Sequence, residues 1–113
     1  MKLNIYNKNN EVVKTYETQT FLLKWRLSNK LLKLIDIGQL SKFESATLEE
    51  LISMIQPIIM EADELVTEIL VNMFPEITED DIDNTDTVEI CICVVEAFRF
   101  VINRFKALSG KNQ

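Results

Sequence analysis

The chain contains no histidine. That removes imidazole general bases, Ser–His and Cys–His nucleophile pairs and histidine metal ligands. Glycine is limited to two isolated residues, so no glycine-rich loop can cradle a phosphate. The two cysteines, Cys91 and Cys93, stand two apart. On a helix that spacing sends them to nearly opposite sides, so they cannot pair with each other or form a structural zinc site. With two prolines and two glycines against 47% hydrophobic residues, neither a disordered nor a collagen-like chain fits. No stretch of about 18 residues is free of charge, so no membrane span is expected. Met1 leads directly into a polar, strand-like run, so no secretory leader is expected either.

What is present is 113 residues with a net charge of −6. That length suits one domain spanning 1–113, large enough to bury a core without disulfides or metals. Residues 1–35 carry seven basic and two acidic side chains, 36–89 one basic and fifteen acidic, and 90–113 four basic and one acidic. The three segments are therefore +5, −14 and +3. Nucleic acid is not an expected partner of so acidic a chain. The alternation of sign permits either plainly solvated faces or self-association in which basic ends meet acidic middles.

Lys2-Leu3-Asn4-Ile5-Tyr6 alternates polar and apolar, and Glu11–Tyr16 is rich in β-branched and aromatic residues around an Asn-rich turn. Together they predict a β-hairpin over 1–17. An isolated hairpin is marginal, so it should pack on a helix or pair with another chain. A helical region follows, 20–108. Thr20 caps a helix over 21–36, whose wide apolar arc holds Phe21, Leu23, Trp25, Leu27, Leu31, Leu32, Leu34 and Ile35. Arg26, Lys30 and Lys33 stripe its other side, and Gly38 supplies a left-handed stop.

Thr47 and Glu50 form a capping box for a helix over 48–55, and Pro57 either starts a new helix or kinks a continuous one. A helix over 58–73 ends at Pro75. Thr78-Glu79-Asp80-Asp81 starts a short turn of helix, and Asn84–Thr87 is a second stop and restart. The longest helix, 87–108, closes the chain before a flexible tail, 109–113. The fold class is mainly α (α+β), an N-terminal β-hairpin followed by four to five helices packed as a small bundle.

The acid-rich run 79–86 fails as a calcium loop. Counted from Asp81, Asp86 stands where glycine is required and Ile92 where the bidentate Glu belongs. No catalytic, metal or cofactor site is expected. The last helix is more informative. Val88, Ile90, Cys91, Val94, Val95, Ala97, Phe98, Val101, Ile102, Phe105 and Leu108 fill about half its circumference. The charged half also contains Ile92, Cys93 and Phe100. Apolar residues in a charged face fit either a helix buried on both sides by the hairpin or the first helix, or one that meets a partner. Met60 and Val71 lie similarly off the stripe of their helix. Ile92, Cys93, Phe100, Met60 and Val71 are thus the candidate partner-binding residues.

The order of elements, with the run "KTYETQTFLLKWRL" after the hairpin and "LVNMFPEITEDDIDNTDTVEI" before the last helix, resembles the tail assembly chaperones of long-tailed phages of Gram-positive bacteria. Phe74, Thr78, Asp80 and Asp81 match a motif of that family. Asn84 and Asp86 stand where many members have glycine. The resemblance implies a non-enzymatic factor of the bacterial host cytoplasm, absent from the mature virion. Such a factor binds the tape measure protein and helps recruit tail tube protein. Repeated weak contacts from many copies add up through multivalency, so the chain is expected to form a homo-oligomer. The family often makes a longer frameshifted product, and Gly110-Lys111-Asn112 is compatible with a slippery run of adenines. The alternative is a small acidic regulatory binding protein, of antitoxin or anti-repressor type, that masks a basic partner.

Overall fold

A computed structural model describes the backbone of residues 1–19, 21–34 and 45–110, and the side chains of these as far as Arg104. The elements, in chain order, are β1 (Lys2–Tyr6), β2 (Val12–Glu17), α1 (Trp25–Leu34), α2 (Leu48–Glu61), α3 (Asp63–Met73), α4 (Glu79–Asp83) and α5 (Thr87–Gly110). The expected class, a hairpin followed by a small helical bundle, is the observed one. Thr20, Ile35 and Gly38, and residues 111–113 of the expected tail, lie outside the described residues. So do the side chains of Phe105 and Leu108. Ser109 and Gly110, assigned to the tail from sequence, belong to α5.

The hairpin is antiparallel, with Leu3 opposite Tyr16 and Ile5 opposite Lys14, and a register shift after Ile5. Its turn is built on Asn7, whose side-chain oxygen accepts from the amides of Asn9 (2.9 Å) and Glu11 (3.0 Å). Asn10 takes the left-handed conformation (φ 62°) that asparagine tolerates better than most residues. The period-2 alternation buries Leu3 and Ile5. Thr85 adds an isolated antiparallel bridge to Ile5, so the free side of β1 is partly covered.

Both hydroxyl caps form full boxes. Thr47 and Glu50 bond reciprocally at the start of α2, as do Thr78 and Asp81 at the start of α4. Asp86 starts α5 by accepting from the amides of Val88 (3.0 Å) and Glu89 (3.3 Å). Proline did not place the break in the middle of the chain. Pro57 sits inside a continuous α2, and the break comes at Ala62 (φ −130°, ψ 57°). The proline deletes one helix bond, to the Ser53 carbonyl, and packing of Leu51 and Ile55 into the core carries the helix through.

The core gathers around α5. Cys91, Val94, Val95, Phe98, Val101 and Ile102 are buried on it, together with Leu27 and Leu31 of α1, Leu51 and Ile55 of α2, and Val66, Ile69, Leu70 and Met73 of α3. Their spacing of three and four is the helical stripe expected for a core helix. Three expectations from the periodicity fail. Val88 and Leu34 are exposed, and Trp25 stands 73% exposed. For Trp25 the reason is geometric. Its helix begins at Trp25 rather than at residue 21, and Leu27 and Leu31 define the inward face. Trp25, two residues before Leu27, then points to the opposite side. Among the described residues no helix is long and apolar enough to cross a membrane.

Candidate functional site

Two tyrosine–carboxylate bonds clamp the hairpin to the helices. The Tyr6 hydroxyl donates to Glu89 of α5 (2.5 Å), whose other oxygen accepts from the Asn4 amide (2.9 Å). The Tyr16 hydroxyl donates to Asp81 of α4 (2.5 Å), and Lys14 lies 3.5 Å from the same carboxylate. Asp81 is the buried charged residue among those described. The bond from Tyr16, with those from Thr78, holds its carboxyl below the usual range, and the same bond raises the Tyr16 hydroxyl. These groups are occupied with each other. They fix architecture, and no cluster of His, Cys, Asp and Glu among the described residues could hold a metal.

The clamp decides what becomes of the apolar residues on the charged side of α5. Cys93 is fully buried: its Sγ lies 3.8 Å from the Met1 sulfur, beneath the hairpin. Burial pushes its thiol up to about 12. The outward assignment of Cys93 is therefore wrong, because the hairpin covers that side of the helix. Phe100 is half-buried under Phe21, their rings 4.9 Å apart. It too is in part a core residue. Ile92 is half-buried as well. Met60 (74% exposed) and Val71 (42%) do face outward.

The exposed apolar surface lies one layer further out, on the segment leading into α1. Residues 21–24 are not helical. Phe21 and Leu23 turn inward against the core, so Leu22 and Lys24 turn outward. The segment is anchored by Asn72, which donates to the Leu22 carbonyl (2.6 Å), and by Ser28, which donates to the Leu23 carbonyl (3.2 Å). Leu22 is left 70% exposed beside Trp25.

Two grooves meet at Leu22. One, of about 530 Å³, runs to α3 and is lined by Lys24, Arg26, Val71, Asn72 and Pro75 among others. The other, of about 340 Å³, runs to α5 past Trp25, Leu32, Phe100 and Arg104. Arg104 stacks over the Phe100 ring at 5.5 Å. The carboxylate of Glu68 borders the first groove but is held by Lys30 (2.8 and 2.9 Å).

Of the five residues singled out from sequence, Val71 and Phe100 line this surface. Met60, Ile92 and Cys93 do not. Leu22 and Trp25 were missed as surface residues. Phe21-Leu22-Leu23 is an unbroken apolar run, so no polar–apolar alternation marked Leu22 or Trp25 as outward. No protein-family model, curated protein or solved structure matches the chain.

Proposed function

We propose that the chain is a non-enzymatic tail assembly chaperone of the long-tailed phage type. It binds the tape measure protein in the host cytoplasm, helps recruit tail tube protein around it, and is left out of the mature virion. The observation that carries the reading is the exposed Leu22–Trp25 surface, continuous with Val71 and Phe100 along two grooves. Large apolar residues gathered in grooves on a small acidic chain mark a protein-binding surface. A tape measure protein offers long amphipathic helices, and a grooved helical partner can take up their apolar stripes. Each contact is small, so many copies must act together, and self-association of the chaperone supplies that multivalency.

The test begins with the neighbouring reading frames, among which the chaperone reading expects a very long, helix-rich one. Its product is expected to stay soluble on co-expression and to co-purify with several copies of this protein. The chaperone reading also expects a slippery adenine run across codons 110–112. A second reading, an acidic regulator masking a basic toxin or repressor, draws on the exposed carboxylates Glu76, Glu79, Asp80, Asp83 and Asp86 around α4. It expects instead a basic neighbour whose binding weakens steeply with salt.

A further inference from the structure

We propose that the Leu22–Trp25 surface is a docking site for an amphipathic helix of a partner protein whose apolar stripe is flanked by acidic residues. The proposal rests on the binding reading above and adds where the partner sits and what charge it carries. Three observations support it.

The first is the chemistry of the rim. Lys24, Arg26 and Arg104 are all exposed along the two grooves. No carboxylate among the described residues forms an ion pair with any of them. The acid that does border the surface, Glu68, is neutralised by Lys30. A chain of net charge −6 thus presents a locally positive apolar surface. Its field draws an acidic helix to this place and away from the rest of the molecule.

The second is the anchor. Leu22 stands where the grooves meet and Trp25 lines the one toward α5, and tryptophan and arginine are the residues that carry most binding energy when a partner covers them. The third excludes the nearest alternative occupant, a second copy of this chain. Its other exposed large apolar residues among those described, Val12, Val13, Leu34, Leu48, Met60 and Val88, are scattered singly or in a pair over different elements. Among the described residues no helix offers a free apolar stripe at the spacing of three and four that two grooves require. Three cations on so acidic a protein are also too few for a nucleic-acid backbone.

Trp25 is the sole tryptophan, so its fluorescence reports on this surface alone. Two synthetic helical peptides serve as probes. They share one leucine stripe, flanked in one by Glu and in the other by Lys. The Glu-flanked peptide is expected to shift Trp25 emission to the blue, saturably, and to bind roughly tenfold more tightly at low salt. The pair K24E/R26E should invert that preference. Leu22→Asp, at an exposed position, should abolish the shift while circular dichroism stays unchanged.

Equal affinity for the two peptides, or no shift with the acidic one, overturns the proposal. A blue shift that appears without peptide as the protein is concentrated also overturns it, because a second copy then covers the surface. The site and the function fail separately. A tape measure protein captured equally by wild type and Leu22→Asp removes this site and leaves the chaperone reading. Acidic-peptide binding at Trp25 without such capture supports the site and removes that reading.

Discussion

Among the described residues Phe98 is the largest side chain wholly removed from solvent, and replacing it by alanine probes the centre of the fold. Excising a fully buried phenylalanine costs about 3–5 kcal/mol, from lost transfer energy and the cavity left behind. A chain of this length has roughly 6–17 kcal/mol of total stability, so the loss is a large share of it. The unfolding entropy, at about 2.1 cal/mol/K per residue, comes to roughly 240 cal/mol/K for the whole chain. The melting temperature of Phe98→Ala should therefore fall by about 13–21 °C, read by far-ultraviolet circular dichroism. Val88→Ala is the matched control. Val88 projects onto the same face of α5 but is exposed, so its substitution should cost under about 1 kcal/mol. Equal shifts for the two variants would refute the assignment of which part of α5 is core.

Other consequences follow from single contacts. Both thiols are buried and raised by burial, Cys93 to about 12, so neither should react with a disulfide reagent at pH 8 until the protein unfolds; fast labelling of the native protein would contradict this. Asp81 is held low, chiefly by Tyr16, so its contribution to stability is complete above about pH 4 and is lost as pH falls through the folded-state value. Tyr16→Phe removes the main cause, so its acid unfolding should begin at higher pH than that of wild type; coincident acid curves would show that the clamp is not formed. Tyr6 and Tyr16 are raised by their carboxylate partners, so hairpin docking should hold below about pH 10 and weaken as pH rises through their folded-state values. Amide exchange of β1 against pH would follow that release. Light scattering at micromolar concentration and physiological salt should show a species larger than monomer, and a strict monomer would remove the multivalency the proposed function needs.

What could be read from sequence was local. Thr47 with Glu50, Thr78 with Asp81, and the alternation around the Asn7 turn each specify structure within a few residues, and each appears as expected. What could not be read was long-range. The bonds joining Tyr6 to Glu89 and Tyr16 to Asp81 cross 83 and 65 residues, and they put the hairpin over the charged side of α5. That placement turned Cys93 from a candidate contact into core. Helical projection also assumes that the helix is already under way. Because α1 starts at Trp25, the arc drawn from Phe21 mixed an extended stretch with a helical one, and Trp25 and Leu22 emerged outside. The candidate site was thus visible as a surplus of apolar residues, but the layer bearing it was not.

The most direct measurement compares wild type with Leu22→Asp in keeping a co-expressed tape measure protein soluble. Retained solubility with wild type and aggregation with a folded Leu22→Asp protein is the predicted result. Equal solubility, or aggregation with both, contradicts the claim that this surface is where the protein grips its partner.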